Sequence, residues 1–323
     1  MPPRGWVRAL GSTGLDVSGV GLGLAALGRP GYLNLGHGQD LGEDRSVRAL
    51  ERRTHGVLDA AHDAGVRYFD AARSYGRAEQ FLGSWLERRG LAPGEVTVGS
   101  KWGYTYTADW QVDANPPEVK DLSADTFRRQ LGESRELLGD NLSLYQIHSA
   151  TLSSGVLEDS EVRDELARLR SMGVAIGITV TGTEQAATID QALEVGGFDT
   201  VQATWNLLER SAEQALARAH HAGLGVIVKE VLANGRLTAR GQDERLARAA
   251  DRVGSTPDAV AIAAALAQPW VHVVLTGPSM VDQLRSNLAA RDLEWTATVA
   301  RELGEMAEPT ERYWETRSSL AWT

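Results

Sequence analysis

The chain contains no cysteine. Disulfides and thiolate metal sites are therefore excluded, and the protein is expected in the cytoplasm. Lysine is almost as scarce. Of 33 basic residues only Lys101, Lys120 and Lys229 are lysine. Positive charge is in deficit overall: 43 acidic residues outnumber the 33 basic ones, for a net charge of −10. A broad basic surface for nucleic acid is thereby excluded. No run of eighteen apolar residues exists to span a membrane. The opening Met1-Pro2-Pro3-Arg4-Gly5-Trp6 lacks the apolar stretch of a signal peptide.

The 323 residues are 42% hydrophobic, enough for a substantial core. Short apolar runs alternate with amphipathic segments along the whole chain. Strands are predicted at 19–24, 66–70, 96–101, 142–148, 175–180, 200–205, 225–230 and 271–276. Their continuous apolar character suits parallel strands buried on both faces. Helices are predicted at 45–64, 77–89, 124–138, 158–172, 184–195, 210–222, 257–267 and 280–289. Gly65 and Gly173 stand where helices should stop before the next strand. Eight such units indicate an α/β fold, a single (β/α)8 TIM barrel in one domain over residues 1–323. Val7 to Leu10, the turn Gly11-Ser12-Thr13-Gly14 and Leu15 to Val17 read as an N-terminal β-hairpin that could plug the barrel's bottom. Segments 242–253 and 295–307 read as added helices, the latter towards the C-terminus. The tail from Pro309, with Tyr313, Trp314 and Trp322, has no assigned structure.

The predicted strand ends carry complementary chemistry. Asp70 ends Val66-Arg67-Tyr68-Phe69-Asp70, and Tyr75 follows in the next turn. Lys101 ends the third strand and His148 the fourth. A free tyrosine, with a pKa near 10, is too weak an acid for neutral pH. A nearby ammonium favours the phenolate and lowers that pKa. Tyr75 is thus the candidate acid, Lys101 its modulator and Asp70 the carboxylate that holds Lys101. His148 is placed to hydrogen-bond a substrate oxygen. An acid, a phenol, an amine and an imidazole on consecutive strands point to carbonyl reduction. No spaced cluster of histidines and carboxylates supports a metal.

The segment Tyr68-Phe69-Asp70-Ala71-Ala72-Arg73-Ser74-Tyr75-Gly76-Arg77-Ala78-Glu79 resembles a signature of the aldo-keto reductase family. The resemblance continues through Lys101-Trp102-Gly103, Gln146-Ile147-His148, Val201 to Leu208 and Leu275-Thr276-Gly277-Pro278-Ser279. It implies NADPH-linked reduction of an aldehyde or ketone, or the reverse alcohol oxidation, on a small carbonyl or sugar-like substrate. NADH is a possible alternative, because no basic cluster for a 2′-phosphate is evident. The resemblance also implies that Asp70, Tyr75, Lys101 and His148 form the catalytic tetrad. Gln202 would bind the nicotinamide carboxamide. Gly277, Ser279, Gln283 and Asn287 would hold the phosphate and adenine end, where a helix N-terminus offers free N–H groups. Arg285 is a further candidate for the 2′-phosphate.

Two segments depart from the family pattern. Thr179-Val180-Thr181 stands where many relatives have Ser-Asn, leaving Thr179 as the candidate nicotinamide contact. Lys229 stands where an aromatic ring often ends strand seven. It is expected at the nicotinamide end, either packing its stem on the ring or pairing with Glu230 towards substrate. The long connection from Trp102 to Ser123 carries Trp102, Tyr104, Tyr106 and Trp110, for which substrate contact and local packing are both open. Two other functions remain open: a cofactor-sensing or partner-binding regulator with little turnover, and a barrel lyase or isomerase using Lys101 or Lys229 as a Schiff base.

Overall fold

The computed structural model describes Trp6–Thr323; Met1–Gly5, part of the segment read for a signal peptide, lie outside the described residues. Eight parallel strands close into a barrel: β1 Val20–Gly23, β2 Tyr68–Asp70, β3 Thr97–Trp102, β4 Leu142–Ala150, β5 Ala175–Val180, β6 Thr200–Thr204, β7 Gly225–Lys229 and β8 Val273–Thr276. Each strand pairs with its neighbours in chain order. Closure runs through Val274 opposite Val20, Leu275 opposite Gly21 and Thr276 opposite Leu22. Barrel helices follow the strands in turn: α1 Val47–Asp63, α2 Ala78–Arg89, α3 Ala124–Leu138, α4 Ser160–Ser171, α5 Gln185–Val195, α6 Glu213–His221, α7 Pro257–Leu266 and α8 Val281–Leu288. The expected TIM barrel is therefore present, with element ends shifted by up to three residues.

The local causes are ordinary ones. Helix α1 starts where the Ser46 hydroxyl accepts from the Ala49 N–H at 3.3 Å. It buries Leu50, Val57, Leu58 and Ala61 on one face. Gly65, at φ +94°, then turns the chain into β2. The barrel interior is filled by side chains and leaves no pore. Tyr68 shows how closely: a Cβ on Gly99 would lie 2.6 Å from its hydroxyl, and one on Gly21 would lie 2.8 Å from its ring. Both neighbouring strands must carry glycine there.

The hairpin forms between Val7–Ala9 and Asp16–Ser18. Its Leu10 and Val17 are buried in one cluster with Tyr68, Leu144, Ile227, Val273 and Leu275. This closes the end of the barrel opposite the candidate site. Extra helices occur at Glu244–Arg252 and Ala297–Gly304, as predicted, and at Thr310–Ser318, in the tail left unassigned. Two further pieces escaped the pattern reading. His37–Leu41 is a short helix between β1 and α1. The connection after β3 holds an antiparallel pair, Tyr104–Tyr106 with Glu118–Lys120. Among the described residues no helix is long and apolar enough to cross a membrane.

Candidate active site

The four strand-end groups converge. Asp70 ends β2 buried, and accepts from the Lys101 ammonium in direct contact. It also accepts from the Tyr68 hydroxyl and Gln202 Nε2, each at 3.0 Å. Lys101 donates further to the Ala71 carbonyl at 2.9 Å and reaches the Tyr75 hydroxyl at 3.4 Å. The lysine is almost wholly buried, so all of its donors are spent on this cluster.

Two-residue alternation puts His148 on the inward side with Gln146, and a β-bulge follows it directly. The β4–β5 register slips between Ile147 and Ala150, and Ser149 takes φ +58°. The bulge is held on both sides: Ser149 N–H donates to the Thr179 hydroxyl, and its carbonyl accepts from Lys120, both at 2.7 Å. The His148 ring then meets Tyr75 edge-on, with centroids 5.5 Å apart, and Tyr104 at 5.0 Å.

Burial and charge set the protonation states. Burial, reinforced by the Asp70 carboxylate, pushes the Tyr75 phenol well above its ordinary pKa, against an opposing pull from Arg29. This corrects the expectation of a lowered value. Desolvation is the larger cause, and the Asp70 carboxylate adds to it. Tyr75 is therefore fully protonated at neutral pH. Burial, followed by Lys101, Lys229 and Arg29, drives His148 well below the usual imidazole range. It is neutral, and its hydrogen bonds are those of one donor and one acceptor nitrogen.

A cleft of about 610 Å³ runs from these groups to helix α8. Asp70, Tyr75, Tyr104 and His148 line one end; Thr179, Gln202 and Lys229 follow; Gly277, Ser279, Gln283 and Asn287 line the other. Lys229 donates to the Thr204 hydroxyl at 3.0 Å and stands 3.9 Å from the Glu230 carboxylate. Glu230, at φ +53°, is clasped by Arg317 of the C-terminal helix at 2.6 to 2.9 Å. The expected Lys229–Glu230 pair is thus secondary to a stronger one. Burial lowers the Lys229 pKa to about 8, against the pull of Glu230.

At the far end, Ser279 N–H donates to Gln283 Oε1 at 2.8 Å, so one of the backbone donors expected to face a phosphate is already engaged. Gln283 Nε2 donates to Asp40 at 2.8 Å. The Asn287 amide, oriented to satisfy its neighbours, donates to Asp258 at 2.8 Å. A nicotinamide dinucleotide suits this cleft on three counts. The Thr276 hydroxyl lines it with no protein partner. A Cβ on Gly277 would meet nothing within 4 Å, so the backbone there is open to a ligand. The cleft's volume also lies in the ordinary range for small-molecule sites.

Three of the four candidate aromatics do not line this cleft. Trp102 is buried against Phe127 of α3, with ring centroids 5.1 Å apart. Strand alternation explains this: Lys101 points into the site, so Trp102 points out to the helices. Tyr106 and Trp110 line a separate depression with Arg77 and Arg129. Trp110 is anchored there by a 2.7 Å bond to the Arg45 carbonyl. Arg285 is exposed, bonded to Asp282, and is not among the cleft-lining residues. Other lining residues went unread in the sequence. Arg29 is buried, donates to the Ser74 carbonyl and Glu118, and lies over Tyr32, Tyr75 and Trp322. Asp40 and Arg240 meet across the far end of the cleft. Their partners are distant in sequence, so no local pattern marks them.

Residues 21–308 match the model of the Aldo/keto reductase family, and the chain belongs to that family. Among curated relatives, the uncharacterized oxidoreductase YrpG of Bacillus subtilis is 26% identical, over 92% of this chain and 94% of that protein. The NADH-specific methylglyoxal reductase of Escherichia coli is also 26% identical, over 94% of this chain and 98% of that protein. The solved holo form of aldo-keto reductase AKR11C1 from Bacillus halodurans superposes with a TM-score of 0.72. At 21% identity, over 94% of this chain and 96% of that one, it speaks for the fold alone.

Proposed function

We propose that this protein is an oxidoreductase that reduces a small aldehyde, ketone or sugar-like carbonyl with a nicotinamide dinucleotide. The observation that carries the reading is the meeting of Tyr75, Lys101 and His148 around Asp70 at one end of the cleft. The dinucleotide, when bound, supplies the hydride. Gln202, Thr179 and Lys229 are the residues offered to its nicotinamide end, and Gly277, Ser279, Gln283 and Asn287 to the rest.

The chain's own residues account for the proton. As hydride reaches the carbonyl carbon, the oxygen becomes an alkoxide, far more basic than a phenolate. A phenol whose pKa is raised still yields its proton to such an oxygen, and it is always loaded at neutral pH. Neutral His148 donates a hydrogen bond to that oxygen and fixes its direction. The phenolate left on Tyr75 faces the Lys101 ammonium, which Asp70 holds in place. Burial excludes water from competing for the charge.

The test is consumption of the reduced cofactor in the presence of small aldehydes and ketones. Tyr75→Phe keeps the ring and removes the proton. The expected loss is roughly 10²- to 10⁴-fold in turnover, with cofactor affinity retained in a fluorescence titration. Near-normal turnover by this variant would remove Tyr75 from the mechanism.

A further inference from the structure

We infer that the cleft selects NAD(H) over NADP(H), and that Asp40, bridged to Arg240 across its far end, is the residue that selects. The inference rests on the proposed dinucleotide reading, in which that end takes the adenosine half. The two cofactors differ there by a single group, the phosphate on the adenosine 2′-oxygen.

The ionisable side chains lining the far end are Asp40, Arg240 and Asp258. Arg240 is the only cation of the three, and it is engaged. Its Nη2 contacts Asp40 Oδ1 directly, and its Nη1 reaches Oδ2 at 2.8 Å. The same Nη1 donates to the Leu35 carbonyl at 2.8 Å. Asp40 Oδ2 accepts a further bond from Gln283 Nε2 at 2.8 Å, and its side chain is only 6% exposed. Asp258 faces the Asn287 amide. Two carboxylates therefore stand against one guanidinium already paired. Burial works against the charge on Asp40, but the bonds from Arg240 and Gln283 outweigh it and keep the carboxylate ionised. Lys101 and Lys229 stand at the tetrad end of the same cleft, and Arg285 faces Asp282 away from it.

A phosphate monoester brings about −1.5 to −2 charges at neutral pH. In this setting it would stand beside two like charges, and the charge of the one lining cation there is already matched by Asp40. Drawing the guanidinium to a phosphate would weaken its hold on Asp40, whose carboxylate is only 6% exposed although the Arg240 side chain is 40% exposed. The unesterified 2′-hydroxyl of NAD(H) has the opposite fit, since a hydroxyl can donate to a carboxylate. The sequence position of Asp40 shows none of this. It lies 200 residues from Arg240, and its meaning comes from the short helix His37–Leu41, which carries it to the cleft.

The experiment is a fluorescence titration of the wild-type chain with NADH and NADPH, repeated on Asp40→Asn and Asp40→Glu. Wild-type protein is expected to bind NADH at least tenfold more tightly. Asp40→Asn frees Arg240 and is expected to close that ratio at least threefold, through tighter NADPH binding. Asp40→Glu keeps the charge and is expected to keep the preference. Tighter wild-type binding of NADPH would overturn the inference and leave the dinucleotide reading standing. Equal changes in both affinities on Asp40→Asn would overturn the role of Asp40. Binding of neither cofactor by the wild type would overturn both readings together.

Discussion

The Lys101 ammonium stands 3.4 Å from the Tyr75 hydroxyl, farther than from either of its other oxygen partners. The lysine is thus held first by Asp70 and the Ala71 carbonyl, and meets the phenol as a fixed charge. Its value to Tyr75 comes when the phenol loses its proton, because only the phenolate is strongly attracted. Lys101→Met should slow reduction by roughly 10²-fold or more. It also strands a buried carboxylate, at a cost of about 3–5 kcal/mol in stability. Lys101→Met combined with Asp70→Asn should recover much of that stability and none of the rate. Denaturant unfolding and steady-state kinetics on the two variants separate the effects. Recovery of rate in the double variant would show that Lys101 acts only by neutralising Asp70.

The raised pKa of Tyr75 gives the two directions different pH behaviour. In the proposed mechanism reduction uses the protonated phenol, which is present throughout the neutral range. In the same mechanism alcohol oxidation would use the phenolate as a base, and burial and Asp70 make that form scarce. Oxidation should therefore climb steadily as pH rises above neutrality, while reduction stays flat. The measurement is initial rates in both directions from neutral pH into the alkaline range. A plateau in oxidation close to neutral pH would mean that Tyr75 is not the base.

Lys229 should discriminate between the oxidised and reduced cofactor. Its ammonium is mostly buried in the cleft, and only the oxidised nicotinamide carries an added positive charge. Lys229→Met keeps much of the stem and deletes the charge. It should improve binding of the oxidised form relative to the reduced form. Wild-type protein should show the same change on raising the pH through about 8, where Lys229 discharges. The variant should show no such step. Glu230 is held by Arg317, so it offsets Lys229 only partly. Equal shifts for both cofactor forms would place the charge away from the nicotinamide.

The barrel was legible because its strands are continuous apolar runs and its helices carry clean stripes. That Asp70, Tyr75, Lys101 and His148 would lie at one end of the barrel was legible because each ends or follows a predicted strand. What escaped depended on three-dimensional meeting. Arg317 lies 87 residues from Glu230, and Arg240 lies 200 from Asp40. No window of sequence contains either pair. The direction of the Tyr75 shift escaped because burial cannot be read from residue type. Trp102 was different: two-residue alternation beside Lys101 already placed it on the helix side. The hairpin Tyr104–Tyr106 and Glu118–Lys120 hid behind Pro116-Pro117, which break the pattern that would mark its second strand.

The bulge at His148 changes how sequence variation in this protein should be scored. Thr179 and valine are nearly the same shape, and a comparison by size or strand preference would rate the exchange as silent. Yet the Thr179 hydroxyl is the acceptor that holds Ser149 N–H, at a residue whose backbone is left-handed. Removing that oxygen leaves the N–H unmatched and lets the strand relax towards regular pairing. His148 keeps the inward side it shares with Gln146 by two-residue alternation, so the change falls on the Ser149 backbone and on how firmly the ring is set against Tyr75. Thr179→Val would then leave a folded barrel whose imidazole is set less firmly against Tyr75. In a screen of natural variants such a chain would pass for a functional homologue.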